Sequence, residues 1–90
     1  MKILLVEDHR ELRDLIAEHF VGRGFIVDAV GSAEEARAAL ATGAYDVLIL
    51  DLGLPDSDGM DLLRAVPMLA PGGVPTLVVT ARDALEDRLL

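Results

Sequence analysis

The chain has no cysteine, a single lysine and only 3% aromatic residues, and it has no apolar run of membrane-spanning length. Without cysteine there are no disulfides, no thiolate zinc sites and no cysteine nucleophile. A membrane helix needs roughly 18 or more consecutive apolar residues. Only four apolar residues separate Lys2 from Glu7, too few for the core of a secretory leader. A cytoplasmic location is therefore expected, with no membrane partner. Scarce rings leave aliphatic side chains to build the interior.

What is present is an acidic, aliphatic chain of 90 residues, 52% apolar and 27% charged, with a formal charge of −8. That length allows one small domain, and that composition is globular. The negative balance opposes direct contact with DNA phosphates or anionic lipid.

Helix-like and strand-like patterns alternate. Lys2-Ile3-Leu4-Leu5-Val6 reads as a buried strand. Residues 9–21 place Leu12, Leu15, Ile16 and Phe20 on one helical stripe, ended by Gly22 and Gly24. A short strand follows at residues 25–30. Ser32-Ala33-Glu34-Glu35 is a capping box that opens an alanine-rich helix closing near Gly43. Residues 46–50 form the central strand. A helix is expected from Gly59 to about Val66, with Asp58 as N-cap, Leu62, Leu63 and Val66 inward, and Pro67 and the Pro71-Gly72-Gly73 stretch as its breakers. Residues 76–80 form a fourth strand, and Asp83-Ala84-Leu85-Glu86 opens a further helix that reaches Leu90. This βαβαβαβα order predicts an α/β fold with a doubly wound parallel sheet.

Two apolar strands end in carboxylates: Ile3 to Val6 runs into Glu7-Asp8, and Val47-Leu48-Ile49-Leu50 runs into Asp51. Ligands of such sheets bind beyond the carboxyl ends of the strands. Three acids brought to one crevice repel one another unless a cation neutralises them. A Mg²⁺ site beside a nucleophilic carboxylate explains the pattern. The plainer roles are loop capping for Asp51 and helix N-capping for Glu7 and Asp8, which Asp8 could combine with metal binding. His9 and His19 are ten residues apart, not at the spacing of a helical metal pair. His9 reads as a surface residue at a helix start. Gly22-Arg23-Gly24 follows a helix instead of a strand, so it is not a dinucleotide loop.

The stretches 2–8 (KILLVED), 45–59 (YDVLILDLGLPDSDG) and 77–82 (LVVTAR) together resemble the receiver domain of two-component response regulators. The wording is closest to the subfamily with a winged-helix DNA-binding output. The resemblance covers the whole chain, residues 1–90, and implies a flavodoxin-like sheet of order 2-1-3-4. It implies that Asp51 accepts a phosphoryl group from a sensor histidine kinase. Asp8, Asp51 and the Gly53 carbonyl would bind Mg²⁺, with Glu7 acting through water. Thr80 would be the switch hydroxyl and Ala81 the small residue beside it. No enzyme turnover is expected beyond self-phosphorylation and self-dephosphorylation of Asp51. An aspartate-nucleophile phosphatase would place an acid two residues after the nucleophile, where Gly53 stands.

The chain departs from the family pattern at its end. The family's fifth strand, carrying a phosphoryl-contacting lysine, and its fifth helix have no counterpart, and the match stops within the fourth helix. The only lysine, Lys2, opens the first strand and cannot serve there. Impaired phosphorylation or an impaired structural response is expected. An open fourth strand predicts a homo-oligomer, with exchanged elements as one route. The alternative to a phosphorylation switch is a receiver remnant that acts as a phosphorylation-independent oligomerisation or interaction module.

Overall fold

Four parallel strands, β1 (Lys2–Val6), β2 (Ile26–Val30), β3 (Val47–Asp51) and β4 (Thr76–Val79), form one sheet of order β2-β1-β3-β4. The computed structural model describes residues 1–54 and 59–79. Strand-to-strand register pairs Leu4 with Asp28 and Leu48, and Asp51 with Val79. Three helices connect the strands: α1 (Arg10–Val21), α2 (Ala33–Thr42) and α3 (Gly59–Leu69). The α/β architecture and the 2-1-3-4 order are as expected from the sequence. The expected helix over residues 83–90 lies outside the described residues.

The chain reverses its winding between β1 and β3. The first crossover steps to one side of β1, and the next two step to the other. Right-handed crossovers then place α1 on one face and α2 with α3 on the opposite face. Side-chain alternation follows that split. Leu4, Val6, Leu48 and Leu50 pack on Ala33, Ala36 and Leu40 of α2 and on Leu62 and Val66 of α3. Ile3, Leu5 and Ile49 face α1, where Ile16, Ala17 and Phe20 pack with Phe25. The rings of Phe20 and Phe25 meet edge to face at 5.7 Å. Each fully buried leucine contributes about 1.5–3 kcal/mol, so this aliphatic interior carries the fold despite its few rings.

Local signals account for most boundaries. Ser32 caps α2: its Oγ accepts the Glu35 N–H at 3.2 Å. Gly22 closes α1, and Gly43 closes α2. At the start of α1 the cap is His9, not Asp8. Its Nδ1 accepts the Leu12 N–H at 3.3 Å. A ring nitrogen thus takes the capping role that Asp8 could have combined with metal binding.

Two expectations are corrected. Helix α3 runs through Pro67 to Leu69 instead of stopping before it. Proline removes a single N–H donor near the helix end, and the next turn still closes, with the Ala70 N–H on the Val66 carbonyl at 2.8 Å. The Pro71-Gly72-Gly73 stretch is what ends the helix. Leu15 does not join the buried stripe of α1: it is 65% exposed. Ile16 and Phe20 reach the sheet, whereas Leu15 points beyond the strip that α1 covers. On the other side Leu62, Leu63 and Val66 do turn inward, with Leu62 and Val66 fully buried.

Candidate metal centre

The reversal between β1 and β3 opens a crevice at the carboxyl ends of those strands, and three acids stand at its mouth. Glu7 and Asp8 follow the last residue of β1, and Asp51 is the last residue of β3. One carboxylate oxygen from each of Glu7, Asp8 and Asp51 lies within 4.8 Å of the others. Glu7 is 2% exposed and Asp51 5%, while Asp8 is half-buried. A cavity of about 390 Å³ opens beside them, lined by Glu7, Asp8, Asp51, His9, Glu11, Leu12 and Leu15.

Backbone donors fix two of the three side chains. The His9 N–H donates to Glu7 Oε2 at 2.9 Å, and the Gly53 N–H donates to Asp51 Oδ1 at 3.0 Å. Each bond fixes one carboxylate oxygen by a main-chain donor. Burial pushes the Glu7 carboxyl up to about 7, and the neighbouring Asp51 and Asp8 carboxylates push the same way. The His9 N–H opposes them. Such a site stores repulsion that a cation would relieve.

The donor set fits magnesium. All three side chains offer hard oxygen, and their mutual spacing lets one small ion touch two of them while water completes its shell. Gly53 is exposed at the start of the loop after β3, next to this cluster in sequence. Thr80 and Ala81, the expected switch residue and its small neighbour, lie outside the described residues, as do residues 55–58.

Lys2 stands at the far end of β1. Its Nζ lies 3.7 Å from Asp28 Oδ2 and 5.0 Å from the centre of the Tyr45 ring. The Tyr45 hydroxyl donates to the same Asp28 oxygen at 2.7 Å. This lysine belongs to the opposite rim of the sheet and takes no part in the acidic crevice.

Arg13 was not singled out by the sequence, yet its Nη1 donates to the Glu7 main-chain carbonyl at 3.1 Å. The available signal was its place one helical turn after His9, over the end of β1.

A receiver-like sheet with acids at its switch point defines a class, and comparisons with known proteins agree with it. Residues 3–89 match the family model described as the response regulator receiver domain, and the chain belongs to that family. It is 42% identical over 89 residues to the transcriptional regulatory protein QseB of Escherichia coli O157:H7, covering 99% of this chain and 40% of that protein. It is 39% identical over 89 residues to the transcriptional regulatory protein PmrA of Pectobacterium parmentieri, with the same coverage of 99% and 40%. The chain thus spans about 40% of the length of these curated relatives. Among solved structures, a CheY-like receiver domain from Methanospirillum hungatei superposes with a TM-score of 0.85 at 27% identity, covering 98% of this chain and 70% of the other. The receiver domain of a sensor histidine kinase from Pseudomonas aeruginosa, which holds a magnesium ion in its active-site cleft, gives 0.84 at 29% identity, with 98% and 73% covered.

Among the described residues, no helix is long and apolar enough to cross a membrane.

Proposed function

We propose that residues 1–90 act as a phosphoacceptor module, taking a phosphoryl group on Asp51 from a histidine kinase in a Mg²⁺-dependent reaction that switches a transcriptional output. The observation that carries this reading is the meeting of Glu7, Asp8 and Asp51 oxygens within 4.8 Å at the carboxyl rim of the sheet. Asp8, Asp51 and the Gly53 carbonyl would hold the metal, with Glu7 bonding to one of its waters. When bound, the ion neutralises the carboxylates and draws charge from the phosphoryl oxygens.

The protein's own part in such a transfer is positioning. The free Asp51 oxygen attacks phosphorus as the P–N bond to the donor imidazole breaks, and that bond's electrons stay on the ring. The Gly53 N–H holds the other Asp51 oxygen, so the nucleophile has one orientation. The Thr80 hydroxyl would then turn toward the new phosphoryl oxygens, with Ala81 leaving room beside them. The acidic surface argues against direct DNA contact by this module, so the output would lie in a partner domain of the winged-helix type.

Acetyl phosphate with Mg²⁺ tests the reading. Intact-mass spectrometry should find one added phosphoryl group on the unchanged chain and none on Asp51→Asn. Absence of a Mg²⁺-dependent adduct on the unchanged chain would refute it.

A second reading is favoured by the outer strand among the described residues, β4, where Leu77 is 57% exposed. In it the module binds a second copy of itself without phosphorylation. Mg²⁺ binding without phosphorylation, together with concentration-dependent dimerisation, would support it.

A further inference from the structure

We infer that Arg13 is a positioning residue for the acidic crevice: its guanidinium locks the peptide that carries Glu7 and Asp8. The inference rests on the metal-site reading above and adds a residue to it.

The peptide at the end of β1 is held from both sides. The Glu7 N–H donates to the Val30 carbonyl at 3.0 Å, continuing the ladder to β2. The Glu7 carbonyl leaves the ladder and takes Arg13 Nη1 at 3.1 Å instead. That carbonyl belongs to the peptide joining Glu7 to Asp8, so one bond fixes the plane from which both side chains depart. A guanidinium suits this task because it offers several donors from one rigid plane.

Gly31 gives an independent sign that the slot is built for the guanidinium. Its φ is not positive, so the backbone there does not demand glycine. A Cβ at Gly31 would instead meet Arg13 Nη1 at 2.7 Å, with the Glu7 carbonyl oxygen 3.9 Å away. The missing side chain makes room for the arginine between the β2–α2 turn and the end of β1.

The choice of acceptor matters for chemistry. An arginine paired directly with Glu7, Asp8 or Asp51 would compete with a cation for the same oxygens. Arg13 instead donates to a neutral main-chain oxygen, the Glu7 carbonyl. The arginine therefore steadies the strand end without taking up a carboxylate oxygen. Groups that orient metal ligands in this way typically change metal affinity 10–100-fold when removed.

The test compares Mg²⁺ dissociation constants by calorimetry, and thermal midpoints by circular dichroism, for the unchanged chain, Arg13→Ala, Gly31→Ala, the double variant and Ile16→Ala. Ile16 packs α1 on the sheet away from the crevice and serves as a purely destabilising control. Arg13→Ala should weaken Mg²⁺ binding about tenfold. Gly31→Ala displaces only the tip of a flexible side chain, so it should keep the fold and still weaken Mg²⁺ binding. Because it acts through Arg13, the double variant should bind no more weakly than Arg13→Ala alone. Ile16→Ala should lower the midpoint and leave Mg²⁺ affinity unchanged. If the unchanged chain binds Mg²⁺ and both Arg13→Ala and Gly31→Ala bind it equally well, the arginine has no positioning role. If the unchanged chain does not bind Mg²⁺ at all, the metal-site reading falls and takes this inference with it.

Discussion

Glu7 and His9 are joined across the turn after β1, with the His9 N–H donating to Glu7 Oε2 at 2.9 Å while the His9 ring caps α1. The bond favours the charged carboxylate, but burial outweighs it and holds the group protonated up to about pH 7. The folded form therefore binds this proton more tightly than an unfolded chain does.

That asymmetry sets a pH dependence. For a carboxyl raised from 4.5 to about 7, the stabilising contribution is complete below pH 4.5 and is lost as pH rises through 7. Without metal, folding stability should fall between pH 5 and pH 8 by an amount on the order of 1–3 kcal/mol, and the thermal midpoint should fall with it. Glu7→Gln should remove that part of the slope. With Mg²⁺ present the slope should flatten or reverse, because the ion selects the ionised form. Melting curves of both proteins with and without Mg²⁺ decide the point, and identical slopes would contradict it.

Asp51→Asn removes one of three crowded charges and keeps an oxygen for the Gly53 N–H. Metal-free protein should gain stability on the order of 1 kcal/mol. Mg²⁺ should then give less stabilisation to the variant than to the unchanged chain. Urea unfolding at pH 8 measures both effects.

Leu77 lies on β4, the outer strand among the described residues, and is largely exposed. Such an edge invites a second strand or an apolar surface. Size exclusion with light scattering should show a dimer or larger species, and Leu77→Lys should shift it toward monomer. A monomer at all concentrations for the unchanged chain would end this expectation.

Pro67 occupies the third turn of α3 with an exposed ring. Pro67→Ala restores the N–H that the helix lacks and should stabilise the protein by about 1–3 kcal/mol. For a domain of this size each kcal/mol raises the midpoint by about 4–8 °C. A midpoint that stays level would mean that proline's preset φ offsets the lost bond.

The strand ends were legible because period and chemistry coincide there. An unbroken aliphatic run such as Val47 to Leu50 has few alternatives to a buried central strand, and Asp51 follows it directly. The resemblance to receivers carried the same elements further than pattern alone. Leu15 was misread because helical spacing shows which residues share a stripe, not how wide a strip of sheet the helix covers. Pro67 was misread because proline costs one N–H bond to the preceding turn without forbidding the next one, and here the Ala70 N–H still reaches the Val66 carbonyl. The His9 cap and the Arg13 bond depend on loop geometry that no spacing encodes.

Gly59 starts α3 with its N–H on the Leu52 carbonyl at 3.2 Å, and a Cβ there would strike Leu52 Cα at 2.5 Å. Main chain thus rests on main chain, with no side chain between to act as a cushion. Any side chain in place of the Gly59 α-hydrogen would have to push the first turn of α3 off the strand end, so even Gly59→Ala forces main chain apart beside Asp51.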